Sequence, residues 1–347
     1  MNKKWILGLY LPLSIIAILI LASFLLPIVY PGFDKDTVKY LKDASGKIYA
    51  APPFSPVEMP PLGSERSGLN LFWLLISGAK YTILATIAIA FLRMVFGFIS
   101  GLVYTFLPKL IVKHAKGVAE VFQFIPLVII VYALLHYVDK AYQSAALGSN
   151  TYIIIQVIAI AIVIIPSLGI YMGEEMKLFM HNEFIEASRT LGGTNRHLIR
   201  THLWPQFLRH SIVLFSEQIS QTLALLIQLG ILSLTLGGLR VLPGGTDSEP
   251  IYFNVNYEWA SIISMNTNAI FVSPWLLVAP LLFFAVLIFL FNTISSNLKK
   301  LLLEENVGKK PSEKKKELDS GNHYSKDEHF EVVRMKEKIT TENSLRS

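Results

Sequence analysis

The chain contains no cysteine in 347 residues, which excludes disulfides, cysteine metal sites, thiol catalysis and lipoprotein acylation. Charge is also scarce: Asp, Glu, Lys and Arg supply 16% of the residues against 52% hydrophobic, and the mean hydropathy is +0.49. That balance lies outside the soluble globular range. A phosphate-binding GxxxxGK[ST] loop is missing too. Gly308-Lys309-Lys310 lacks both the upstream glycine and the hydroxyl residue that would hold magnesium. His197, His202 and His210 share one loop but have no carboxylate at ligand spacing, so no metal site is assigned.

What the chain has in excess is long apolar runs. A helix needs about 20 mainly apolar residues to cross a bilayer. Six windows qualify: Trp5 to Val29, Tyr81 to Leu107, Val118 to Tyr137, Tyr152 to Met172, Ile212 to Leu236 and Pro274 to Ile294. The expected fold class is all-α, a polytopic membrane protein with about six transmembrane helices. Residues 1–30 read as an N-terminal anchor, 31–72 as an outer loop, 73–298 as a domain of five further spans, and 299–347 as a charged tail. The first apolar run follows Met1-Asn2-Lys3-Lys4, but it is longer than a cleavable signal core and lacks a clear small-x-small site, so a retained signal anchor is expected.

The net charge of +6 needs no nucleic acid to explain it. With six alternating spans, Lys3 and Lys4, then Lys109, Lys113 and Lys116, then Lys177, Arg189, Arg196, Arg200 and Arg209 fall on one side, which the positive-inside bias makes cytoplasmic. Both termini are then cytoplasmic. The five Lys and Arg between Tyr30 and Asn70 are matched there by Asp and Glu. In the outer loop, Ala51-Pro52-Pro53-Phe54-Ser55-Pro56 reads as an extended surface excursion. The tail, with Lys314-Lys315-Lys316, is dense in both signs of charge and reads as disordered and solvated; contact with anionic lipid or a partner is the alternative.

Between two apolar runs lies a polar, helix-forming interlude, EFIEASRTLGGTNRHLIRTHLWP, from Glu183 to Pro205. Glu186, Ala187 and Ser188 are followed after three residues by Gly192 and, further on, by Pro205. This spacing resembles the EAA loop of bacterial ABC importer permeases. Ser188 stands where Ala is usual, and His202 and Trp204 where Ile and Leu are. A second patch supports the resemblance. Leu62, Gly63, Gly68, Gly78 and Ala79, with Glu65, Asn70 and Lys80 as near substitutes, match the start of the C-type permease of dipeptide, oligopeptide and nickel importers, although Leu69 lacks the usual arginine.

The resemblance runs from about Pro61 to Ile294 and implies a permease half that pairs with a homologous second subunit, two ATPase subunits and an extracellular substrate-binding protein. ATP and magnesium would then sit on the ATPase partners, with no cofactor on this chain. It also implies a cytoplasmic coupling helix from about Asn182 to Thr190, stopped by Gly192-Gly193, whose Phe184, Ala187, Ser188 and Leu191 face a groove on the ATPase. Glu186 either pairs with a base there or caps its own helix, and the arginines either meet the ATPase or only enforce topology. The degenerate alternative is a scaffold that keeps the fold but no longer transports.

For a translocation pathway the fifth span is the candidate. Glu217, Gln221, Ala224, Gln228 and Thr235 recur near one face of a 3.6-residue helix, and such a stripe belongs against a hydrated path or a partner helix rather than lipid. Arg93, inside the second span, needs a partner or water; Glu217 is the first candidate and snorkelling to the headgroups the alternative. Pro126 and Pro166 read as bends in the third and fourth spans, and Gly97 with Gly101 as a close helix contact. A secondary transporter would show inverted repeats and paired intramembrane charges, and neither is visible.

Overall fold

The computed structural model describes residues 3–242, 251–253 and 256–304. The tail beyond Glu304, with its lysine run, lies outside them. The architecture is all-α, with two short antiparallel hairpins: β1 (Leu41–Lys42) with β2 (Ile48–Ala50), and β3 (Arg240–Leu242) with β4 (Ile251–Phe253). By length and apolar character, four described helices can cross a membrane, or five where the bent pair of helices from Ser149 to Met180 counts as one span. The protein is a polytopic membrane bundle.

α1 (Lys3–Val29) leaves Ile18, Leu21 and Ile28 exposed and buries Ile16, Ser23 and Leu26 against its neighbours. Polar ties hold it at both ends. Asn297 Nδ2 donates to Gly8 O at 3.1 Å, and Ser23 Oγ donates to Ser77 O at 2.7 Å.

α2 (Leu71–Thr105) starts at Leu71 rather than at the expected Tyr81. Asn70 caps it, its side-chain oxygen accepting from Phe72 N at 3.0 Å. Lys80, which interrupts the apolar run, is accommodated inside the helix because its Nζ donates to Ser23 O at 3.3 Å and sits 5.3 and 5.2 Å from the Phe24 and Tyr81 rings.

The expected third span is divided into α3 (Lys109–Gln123) and α4 (Leu127–Gln143). Pro126 bears no N–H and disfavours helical geometry at Ile125, so it stands as the N-cap of α4 instead of a kink within a span. The fourth is likewise two helices, α5 (Ser149–Ile162) and α6 (Ile165–Met180), bent by 41°. Pro166 falls in the first turn of α6, where its missing N–H costs nothing.

Beyond α6 come α7 (Glu183–Thr190), α8 (Asn195–Leu198), a π-helical turn (Ile199–Leu203) and α9 (Trp204–Ile231). The π turn precedes Pro205, whose ring crowds the carbonyl four residues back and widens the preceding turn. α10 (Trp259–Asn266) and α11 (Trp275–Lys299) complete the bundle.

α2 and α6 pack through glycines on both sides. A Cβ on Gly97 would lie 2.8 Å from Leu168 Cδ2, one on Gly101 3.0 Å from Gly169 O, and one on Gly173 2.9 Å from Gly101 O. The expected Gly97/Gly101 contact therefore has a matching Gly169/Gly173 pair, and the two backbones approach each other directly. At the end of this seam Tyr104 Oη donates to Glu174 at 2.6 Å, and Lys116 Nζ lies 3.2 Å from the same carboxylate.

Candidate coupling surface and transport face

α7 closes on a tight C-terminal motif that follows from its sequence. Gly192 adopts φ +88°, its N–H bonds Arg189 O at 2.9 Å, and Gly193 N–H bonds Ser188 O at 2.9 Å. This is the double bond pattern of a glycine-terminated helix. Glu183 and Glu186 occupy the first turn and Arg189 the last, each on the favourable side of the helix dipole. Thr194 then caps α8 by accepting from His197 N.

One side chain anchors α7. Ile185 is wholly buried and packs with Met180, Leu198 and Phe179. The other apolar residues are more open: Phe184, edge-on to Phe179 at 5.7 Å, is 51% exposed and Leu191 89% exposed, with Ala187 and Glu186 exposed and Ser188 half-buried beside them. Of the departures from the EAA pattern, His202 packs its ring 5.8 Å from Phe184, and Trp204 sits edge-on to Phe98 at 5.3 Å. Pro205 is exposed at the start of α9. The anchoring role of Ile185 was not read from the sequence, although it is the apolar residue of α7 one turn before Arg189.

On α9 the expected stripe is largely present. Gln221 and Gln228 are exposed, Glu217 and Ala224 half-buried, and Leu223 and Leu226 on the remaining faces are buried. Gln218 Nε2 donates to Gln221 Oε1 at 3.1 Å, and Ser295 Oγ donates to Glu217 at 3.3 Å. Thr235 departs from the expectation. α9 ends at Ile231, because Ser233 turns at φ 60°, and Thr235 lies buried in the following loop. At the α7 end of this face a cleft is lined by Glu175, Phe179, Leu203, Gln206, Phe207 and His210.

Arg93 neither pairs with Glu217 nor snorkels. It is wholly buried, donating from one terminal nitrogen to Thr222 Oγ1 at 2.8 Å and from the other to Ile160 O at 3.1 Å. Ile160 is in the last turn of α5, where the bend into α6 leaves carbonyls without helical donors. A cation at a helix C-terminus also suits its dipole. Arg93 thus caps a broken helix inside the membrane, which accounts for its position better than a lining role does. Arg93→Met is expected to lower stability by about 1–3 kcal/mol through loss of these charge-assisted bonds. Arg93→Lys should recover only part of it, since an ammonium cannot span two acceptors as the fork does. Thermal unfolding in detergent measures both, and an unchanged midpoint for Arg93→Met would remove the capping role.

The opposite end of the bundle explains the glycine-rich patch before α2. Gly63 and Gly68 hold φ +81° and +88°, and a Cβ there would lie 2.4 Å from Phe54 O and 2.1 Å from Val38 O. Phe54 is wholly buried, Phe54 N donates to Ser64 Oγ at 2.8 Å and Ser64 N to Phe54 O at 3.0 Å, so the Pro-rich stretch is pinned at that point to the segment that leads into α2. Two further residues, unforeseen in the sequence, hold the loop after α9. Gln156 donates to Thr235 O and accepts from Gly237 N, both at 2.8 Å. Glu258 caps α10, accepting from Ala260 N at 3.0 Å and Ser261 N at 3.1 Å, while Trp259 Nε1 donates to Leu75 O at 2.8 Å. Burial pushes the Glu258 carboxyl up to about 7, against the pull of those backbone donors and Thr82.

The fold is that of a multi-pass α-helical membrane protein carrying a short, outward-facing helix between two of its crossings. No family model matches the chain. It is similar to the oligopeptide transport system permease protein OppC of Haemophilus influenzae, with 26% identity over 307 residues that cover 87% of this chain and 84% of that protein. The resemblance to C-type permeases of ABC importers therefore extends over nearly the whole length, beyond the two motifs that first suggested it.

Proposed function

We propose that the chain is one permease half of an ATP-driven ABC importer in a bacterial cell membrane, in which α4 makes a sixth crossing beside those of α1, α2, the α5–α6 pair, α9 and α11, so that both termini are cytoplasmic, carrying peptides or a related small solute. Its partners in this reading are a homologous second permease, two ATPase subunits that hold ATP and magnesium, and an extracellular substrate-binding protein. The cargo class rests on the similarity to an oligopeptide permease, since a shared scaffold says little about a solute.

The observation that carries the reading is the exposed polar face of α9, Gln221 and Gln228, opposite buried Leu223 and Leu226 on a membrane-length helix. Lipid is a poor neighbour for two amides, so this face is assigned to the transport path. α7, set rigidly on Ile185, offers Phe184 and Leu191 to an ATPase groove. ATP-driven closure of the motor then moves α7, and through it α6 and α9, which flank it in the chain. The path alternates between the two sides of the membrane as the helices rearrange.

The absence of native cysteine makes the test direct. In the assembled transporter, Gln221→Cys and Gln228→Cys should react with a small water-soluble thiol reagent, and Leu223→Cys and Leu226→Cys should not. Adding ATP and binding protein should change the first pair's reactivity and leave the second unchanged. Protection of both glutamine positions in every state would transfer this face to packing against the second permease. A complex that assembles and labels but takes up no solute would instead establish the scaffold reading.

A further inference from the structure

We propose that α3 is an interfacial helix that seats Leu110 and Ile111 in the apolar edge of the leaflet on the α7 side and sets Lys109 and Lys113 against anionic lipid headgroups. The sequence pattern is strongly two-sided. Lys109, Lys113, Lys116 and Glu120 recur every three or four residues, so at 3.6 residues per turn they share one side, and the other side is apolar except for exposed His114, which lies between Leu110 and Ile111 with its Nδ1 2.8 Å from Leu110 O. Only part of the apolar side is covered by the bundle. Ala119 is buried and Val112 and Ala115 half-buried, whereas Leu110 is 69% exposed and Ile111 50% exposed.

Depth along α2 places this open edge near a membrane surface. Lys80 is the last charged residue of α2 before the buried Arg93, and about 20 helical residues cross the hydrocarbon, so the opposite boundary falls near Gly101. Val103 and Phe106 are exposed just beyond it, and α3 begins at Lys109. Leu110 and Ile111 thus continue an apolar surface where the hydrocarbon ends.

The charge on this edge calls for an anion. Among the described residues, the only ion pair is that of Lys116 with Glu174, and Lys109 and Lys113 have no carboxylate partner there. They stand in the first turns of α3, which contain no acidic residue and already carry the positive end of the helix dipole. Glu120 is about 10 Å further along the axis at 1.5 Å per residue. Two lysines without a carboxylate partner among the described residues, with a helix N-terminus at headgroup depth, therefore form a positive site facing the leaflet, and a phosphatidylglycerol-type headgroup complements it. Lys116 joins α3 to Glu174 and Tyr104, so lipid engagement bears on the α2–α6 seam that leads into α7.

The proposal does not depend on which solute is carried, or on whether any is. Single cysteines at Leu110, Ile111 and Lys113 in the full chain would carry an environment-sensitive fluorophore, with the protein placed in vesicles of phosphatidylcholine alone or with about one-third phosphatidylglycerol. The probes at 110 and 111 should emit as if in hydrocarbon and be quenched by spin-labelled acyl chains, while the probe at 113 stays water-like. Quenching of the 110 probe by a spin-labelled anionic lipid should exceed that by its zwitterionic counterpart, and the excess should fall about fivefold per lysine in Lys109→Gln and Lys113→Gln. Water-like probes at 110 and 111 overturn the proposal. So does immersion without anionic preference, which would leave α3 a simple apolar anchor. Shielding that appears only when a second permease or an ATPase is added overturns it in favour of a protein contact.

Discussion

Gly78→Ala is expected to remove most of the folded protein from the membrane. A Cβ at this position would lie 1.9 Å from Tyr257 O and 2.9 Å from its carbonyl carbon, backbone atoms that cannot rotate away. Tyr257 is itself held at φ 51°, and the next two residues, Glu258 and Trp259, are wholly buried. α2 and the start of α10 would have to separate, breaking the Trp259 Nε1 bond to Leu75 O. Overpacking of this kind costs about 3 kcal/mol or more, a large share of a marginal stability. Gly117→Ala in α3 is the control. No atom lies within 4 Å of its Cβ position, so the substitution should stabilise α3 by up to about 1 kcal/mol. Yield of monodisperse protein after membrane extraction measures both, and equal yields would mean that the Gly78 approach is not structural.

The double substitution Phe184→Ala with Leu191→Ala is expected to abolish ATPase binding while leaving the bundle intact. Both side chains are exposed, and α7 is held by Ile185, so the folded protein loses little. A central apolar anchor is worth about 2 kcal/mol or more at an interface, so each substitution should weaken association roughly 30-fold. Ile185→Ala should fail by a different route, freeing α7 from Met180 and Leu198 at a cost of about 2–5 kcal/mol. Gly192→Leu lies between them. Its side chain would meet nothing within 4 Å, so its cost is the left-handed φ of +88°, about 1–2 kcal/mol, and not a clash. Titrating ATPase subunits against purified permease reads the first effect, and thermal unfolding the other two. Full ATPase affinity in a well-folded double variant would end the coupling role of α7.

The candidate surfaces were partly legible because their signals are local. The end of α7 at Gly192-Gly193 follows from glycine's access to positive φ, and the Gln221/Gln228 stripe follows from helical period alone. Thr235 was misplaced because period cannot show where a helix stops when apolar residues continue through Leu234 and Leu236. Gly169 and Gly173 carried the same four-residue spacing as Gly97 and Gly101, so that half of the seam was available to reading. Gln156 was not, since a single amide in an apolar run gives no hint that its partners are the backbone of a loop some eighty positions away.

Composition, the length of the apolar runs and two spaced motifs were enough to determine a polytopic α-helical permease-like chain, because the demand that membrane backbone satisfy its own hydrogen bonds leaves few alternatives. Only the tertiary structure decided where the runs break and what the buried polar groups do. Pro126 starts a helix instead of bending one. Arg93 serves the last turn of α5 and not a carboxylate, and the lysines of α3 turn from a topology signal into one side of a two-faced helix. These outcomes depend on which segments meet in space, and the energy of a buried charge or an interrupted helix is set by the donors and acceptors those neighbours bring.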